Sequence, residues 1–128
     1  MMKEKIKVYL ASPYSNGGTE DETTRTKNTY YSLQVATQLV QHGFNVFAPL
    51  LAHFWDNWFP MSYATWVEID LDWMYRCDCL LRIDGESEGA DKEILMAREL
   101  KIPVFYNITD LFDYYFDTAK CDLKDENN

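Results

Sequence analysis

Carboxylates are the groups in this chain whose type and setting best suit chemistry, and Glu93 comes first among them. It closes a Ser87-x-Gly89-x-x-x-Glu93 segment that follows an apolar run. Gly89 allows backbone to approach a ligand closely, and Glu93 falls in the first turns of the next helix, near its positive end. That placement favours the ionised carboxylate by a few tenths to about 1 kcal/mol. An ionised carboxylate in a cleft can attack a sugar carbon as a nucleophile. An ordinary solvated helix start would carry the same residue. Asp70 is the second candidate, with Asp72 and Asp78 nearby. Glu68, Asp70 and Asp72 cannot share one helix face, because residues two apart diverge. At most one or two can point into a cleft, and solvent is the default for each, while Asp78 suits the closing of a turn at a strand start.

Two further stretches could hold a ligand. Tyr9-Leu10-Ala11-Ser12-Pro13-Tyr14-Ser15 has small residues that leave room beside the backbone, and hydroxyls at Ser12 and Ser15 that can bind a sugar or phosphate. It contains no Gly-x-Gly-x-x-Gly and no Walker lysine, which disfavours dinucleotides and nucleoside triphosphates. His53-Phe54-Trp55-Asp56-Asn57-Trp58-Phe59 is rich in planar side chains. Such rings stack on nucleobases at roughly 1–3 kcal/mol per base, or they pack into a core. His53 has no second His or Cys at ligand spacing, so a metal site is not expected.

The elements that must position these groups alternate. Residues 6–11, 44–48, 79–83 and 102–106 are short apolar runs that read as buried strands. Residues 23–41 read as a helix with Leu33, Ala36, Leu39 and Val40 inward and Gly43 as its C-terminal glycine. Residues 50–61 have aromatics without a clean period and read as a long loop or broken helix. A helix over 63–76 places Trp66, Ile69, Trp73 and Cys77 on one face. Residues 84–89 read as a turn, 90–100 as a helix with Ile94, Leu95 and Ala97 inward, and 109–116 as a last helix. Strands alternating with helices imply an α/β fold: a doubly wound parallel sheet of the Rossmann or flavodoxin-like kind, in a single three-layer domain. In such sheets ligands sit beyond the carboxyl ends of the strands, where strand order reverses. The connections after the first three strands therefore face the expected site.

Composition narrows the partners. A chain of 128 residues is about one domain and can bury a core without disulfides or metal. The formal net charge of −9 repels phosphate backbones and anionic membrane surfaces, so neither a nucleic acid polymer nor a membrane is expected as a partner. No apolar run approaches the roughly 18 residues of a membrane span, and no secretory signal is evident, which points to the cytoplasm. The odd set Cys77, Cys79 and Cys121 reads as reduced thiols. Nine Tyr, seven Phe and four Trp, many within residues 44–75, give aromatic surface for a homo-oligomer, a dimer or larger.

Taken together, VYLASPYS (Val8 to Ser15), EIDLDWMYRCDCLLRID (Glu68 to Asp84) and SEGADKEILMARELKIPVFY (Ser87 to Tyr106) resemble the nucleoside 2-deoxyribosyltransferases. They also resemble their relatives that hydrolyse deoxynucleoside 5′-monophosphates. No single motif is specific, but their order and spacing hold over roughly residues 6–106. The resemblance implies a deoxyribosyltransferase-like domain over residues 1–121 with a polar tail at 122–128. It implies a deoxynucleoside or deoxynucleotide and a nucleobase as ligands, and no cofactor. It casts Glu93 as nucleophile, Tyr9 as the tyrosine that orients it, and Asp70 as the aspartate that serves the departing base. Ser12 and Ser15 then cradle the ligand, His53 approaches the base, and Ser87 and Gly89 lie beside the sugar. Many of the transferases have an aspartate where this chain has Ser87. A serine there suits a 5′-phosphate, which favours the hydrolases. The first loop offers no arginine between Ser12 and Gly18, with Arg25 the nearest cation, which does not. A nucleotide-sensing module on the same fold is the non-enzymatic alternative, though it would have no need of a nucleophile.

Overall fold

A computed structural model describes residues 4–14 and 21–116. Ser15, Cys121 and the expected tail at 122–128 lie outside the described residues. Strands β1 (Lys7–Ala11), β2 (Asn45–Phe47), β3 (Cys79–Arg82) and β4 (Val104–Phe105) form one sheet in the order β2-β1-β3-β4. All three pairings are parallel, and Val8 lies between Val46 and Cys79. The order reverses between β1 and β3, so the opening expected of a doubly wound sheet falls beside β1.

Side-chain alternation along the strands builds two cores. Val8, Leu10, Cys79 and Leu81 face Ala36 and Leu39 of α1 (Glu22–Gln41) and Leu111 of α5 (Ile108–Phe116). Tyr9, Ala11 and Leu80 face Met74 of α3 (Tyr63–Met74) and Ala90, Ile94 and Ala97 of α4 (Glu88–Glu99). Helices therefore cover both faces, and the chain is an α/β domain of three layers, Rossmann-like in architecture. Tyr9 is the exception to an aliphatic strand: it is wholly buried, on the face that α3 and α4 cover.

Several local expectations change. A short 3-10 turn at Pro49–Leu51 leads into α2 (Ala52–Trp58), so the aromatic stretch is a broken helix rather than a loop. Helix α4 starts at Glu88, not after Gly89, because the Ser87 side chain accepts from the Ala90 N–H and caps it. Leu95 and Val40, expected inward, are exposed. On α3 the buried residue is Met74, while Trp73 is half-exposed and stacks on Phe47 with ring centroids 5.4 Å apart. Strand β4 is only two residues long, since Pro103 has no N–H for the ladder.

Candidate active site

Tyr9, Asp70 and Glu93 line one cleft of about 470 Å³ on the α3–α4 side of the sheet. Ser12, His53, Ser87 and Gly89 line it too. Every expected site residue within the described residues thus lies on the same cavity. The cleft opens over the central strand β1, not at a sheet edge.

Tyr9 donates its hydroxyl hydrogen to Oε2 of Glu93, a bond between β1 and the second turn of α4. Burial, with the Glu93 and Asp70 charges beside it, raises the Tyr9 phenol so that it remains a donor. Burial also raises Glu93 to about 7, against the Tyr9 hydrogen bond that lowers it; Asp70 adds to the rise, and Arg82 opposes it. The helix start was expected to keep this carboxylate ionised. Desolvation outweighs that dipole, because a glutamate in the second turn lies past the strongest field. Burial alone raises Asp70 to about 6. Asp70 interrupts a stripe on α3 formed by Tyr63, Trp66, Val67, Leu71 and Met74, all lining the cleft. Their spacing of three and four marks one helix face. An aspartate inside that stripe was a legible signal for a buried carboxyl. It was obscured because Ile69, Trp73 and Cys77 fit a competing face.

The other acids go elsewhere. Asp72 pairs with Arg76 at 3.0 Å and is exposed. Asp78 accepts from the Lys7 backbone N–H at 2.8 Å, and so ties the start of β3 to the start of β1 rather than closing a turn. Glu68 and Asp84 are exposed. Cys77 and Cys79 are buried free thiols, pushed up by burial to about 11 and about 12, so they are poor nucleophiles.

The rim shows what sequence reasoning missed. Within the 53–59 stretch only His53 and Asp56 line the cleft, while Phe54, Trp55, Trp58 and Phe59 face outward. Beside Tyr9 and His53, the rings that line the cavity are those of Tyr14, Tyr63 and Trp66. Asp56 accepts from Trp66 Nε1 at 2.7 Å and from the Met61 N–H at 2.9 Å, and these bonds hold its carboxyl below the usual range. Ser12 shares a 2.8 Å hydrogen bond with Ser32, tying the first loop to α1. Buried Arg82 donates to the Ile83 carbonyl, to the Gly85 carbonyl at 2.8 Å and to Asp91 at 3.0 Å, and so fixes the turn before α4. Among the described residues no group of three or more His, Cys, Asp or Glu side chains could hold a metal ion.

Neither a scan against protein-family models nor a search of curated proteins gives a match to this chain. The fold class and this cleft are therefore what define the site: a pair of half-buried carboxyls, one held by a tyrosine, in a largely apolar cavity of small-ligand size.

Proposed function

We propose that this protein cleaves the N-glycosidic bond of 2′-deoxynucleosides and transfers the deoxyribosyl group to another nucleobase. The observation that carries this reading is the Tyr9–Glu93 hydrogen bond in a cleft that Asp70 shares. Glu93 attacks the anomeric carbon as the bond to the base breaks, and the bonding pair leaves with the base. Asp70 protonates the departing nitrogen, a task suited to a carboxyl raised toward neutral pH. The resulting ester joins deoxyribose to Glu93. A second base then attacks the same carbon, the ester bond breaks back to the carboxylate, and Asp70 takes the acceptor's proton. Neither half requires a metal or organic cofactor.

One observation favours the related 5′-monophosphate hydrolysis, in which water takes the acceptor's place. The Ser87 oxygen accepts from Ala90 N–H at 3.0 Å, which leaves its own hydrogen to donate to a phosphate. A purely sensory role is less well supported, since two half-buried carboxyls raised toward neutral pH by desolvation lower stability without aiding recognition. No described helix is long and apolar enough to cross a membrane. We place the enzyme in the cytoplasm, as a homo-oligomer. Incubation with deoxyinosine plus adenine, and separately with deoxynucleoside monophosphates, followed by chromatography, tests the reading. New deoxyadenosine supports transfer, and free base from monophosphates supports hydrolysis. No change in either mixture would refute both.

A further inference from the structure

Arg82 is a buried cation that no step of the glycosidic reading uses. It ends β3, and among the described residues it is the only lysine or arginine that is buried. Residues two apart on a strand share a face, so Arg82 lies with Leu80 on the side that Tyr9 and Ala11 turn to α4. An apolar side chain would suit this face, whose neighbours are Ala90, Ile94 and Ala97. Arginine is costly there, because a charge taken out of water must be paired and hydrogen-bonded.

Its guanidinium holds three partners. It donates to the carbonyls of Ile83 and Gly85 and to Asp91 in the first turn of α4. Gly85 also packs on Pro13, so one side chain ties the β3–α4 turn, and with it the first loop, to the start of α4. The charge is only partly cancelled, since the Asp91 side chain is 67% exposed and water weakens the pairing. A cation at a helix N-terminus also opposes the dipole. The arrangement therefore lowers stability and leaves a positive field at the start of α4.

Glu93 lies in that field. Tyr9, which binds it, pairs in register with Leu80, and Arg82 follows Leu80 on the same face, roughly 7 Å further along β3. Glu93 itself is two residues past Asp91 on α4. The charged and titratable groups that share its cleft are Tyr9 of β1, Asp70 of α3, Lys92 of α4, and His53 and Asp56 of α2. Lys92 is exposed and stands 3.7 Å from Glu88. Burial and Asp70 keep a proton on Glu93, while Tyr9 and Arg82 oppose them. Arg82 does not line the cleft, so it acts on a ligand only through Glu93.

We infer that Arg82 is a positioning residue for Glu93: with Asp91 and the β3–α4 turn it fixes where α4 presents the carboxylate, and it supplies the countercharge to the attacking anion. The inference rests on the proposed function in naming Glu93 the attacking group, whereas the hold of Arg82 on that carboxylate does not.

The test follows Glu93 directly, through the carboxyl carbon resonances of protein labelled with 13C-glutamate. The Glu93 signal is the one lost in Glu93→Gln. Arg82→Met should move the Glu93 titration upward by about half a pH unit or more. It should also lower kcat at least about tenfold, with KM within about threefold of wild type. Arg82→Lys, which keeps the charge but not the planar fork, should return the titration toward wild type and recover only part of kcat. Asp91→Asn removes an exposed partner that offsets the Arg82 charge, and should move the Glu93 titration downward. Glu86→Gln, an exposed carboxylate of the same turn that Arg82 does not bind, is the control and should leave it in place. A folded Arg82→Met whose Glu93 titrates as in wild type would overturn the inference whatever its turnover, because a purely structural brace would behave that way. An unmoved Glu93 in Asp91→Asn would overturn it as well, even if Arg82→Met fails to fold. The expected titrations without glycosidic cleavage by the wild type would overturn the proposed function and leave Arg82 as the countercharge to Glu93.

Discussion

Glu93 and Asp70 are carboxyls kept where a carboxylate is least comfortable. Burial raises them from 4.5 to about 7 and from 3.8 to about 6, and they titrate as a pair. Near neutrality the pair holds about one proton. The Tyr9 hydrogen bond and the Arg82 charge favour the ionised form of Glu93 but do not overcome its burial, so Glu93 holds a proton to higher pH than Asp70, and the reactive form, with Glu93 ionised and Asp70 protonated, is a minor share of the singly protonated pair. The dependence of kcat/KM on pH should therefore be bell-shaped, with flanks at about 6 and about 7. Tyr9→Phe should move the flank at about 7 upward, since it removes a donor to the charged form of Glu93; a profile flat from about pH 5 to about pH 9 would contradict the assignment. The same shift costs stability. Below pH 4.5 Glu93 is protonated in folded and unfolded chains alike and exacts no penalty. As pH rises toward 7 the unfolded chain releases its proton first, and stability falls by up to the order of 3 kcal/mol. Glu93→Gln, which never ionises, should melt several degrees above wild type at about pH 8 and near it at about pH 4.5. Its turnover should drop by several orders of magnitude, because covalent catalysis has no other attacker. Exposed Glu99, later on α4, is the control, and Glu99→Gln should retain activity. Mass spectrometry of quenched wild type should find a deoxyribosyl adduct on the Glu93 peptide.

The turn between β3 and α4 sets where these side chains stand. Gly85 has φ of +130°, and a Cβ there would lie 2.8 Å from Pro13 Cγ, so this turn packs directly on the one after β1. Gly85→Ala should destabilise the fold by roughly 1–3 kcal/mol, measurable by denaturant unfolding. Ser87 caps α4, and Ser87→Ala should cost about 1 kcal/mol. Aspartate caps as well as serine, so Ser87→Asp should fold normally while placing a charge beside the cleft. If Ser87 faces the 5′ end, that variant should cleave monophosphates far less well relative to nucleosides; an unchanged ratio would place the 5′ end elsewhere. The cap itself was hidden in the sequence because Gly89, two residues on, signals a turn more strongly than Ser87 signals a helix. The strands were legible because each is a short apolar run, and Ser12, His53, Ser87 and Gly89 followed from their place after those strands, whereas Tyr9 and Asp70 were singled out together only by the resemblance. Helix α3 was misjudged by one face: Trp73 is a large apolar residue that stacks at the rim on Phe47, and its size masked Met74 beneath. Tyr14, Trp66 and Arg82 left no such trace, since their roles depend on contacts with His53, Asp56 and Asp91, from separate elements or the far end of a turn.

Across the whole molecule the apolar surface is unevenly spread. Leu51, Phe54, Trp55, Trp58, Phe59 and Tyr63 follow one another along α2 and the start of α3, and all are exposed, Trp58 to 78%. Scattered exposed aromatics are ordinary, but six large apolar side chains in thirteen residues make a patch of the kind that marks an interaction surface. The homo-oligomer we propose would bury it against a second copy. A twofold axis brings the same patch to itself, so the contact needs no complementary surface elsewhere. The net charge of −9 works against this, since each copy repels the other. Salt screens that repulsion and leaves apolar contact intact, because the Debye length falls from about 30 Å at 0.01 M to about 8 Å at 0.15 M. The expected outcome by light scattering at micromolar concentration is therefore a mass of at least twice 15.1 kDa at physiological salt, shifting toward the monomer as salt is removed. Trp58→Glu, at the most exposed position of the patch, should give a folded monomer at every salt concentration. A 15.1 kDa particle from the wild type at physiological salt would exclude the apolar interface. A dimer that Trp58→Glu leaves intact would move it to another face, of which the exposed Tyr30 and Tyr31 on α1 are the next to substitute.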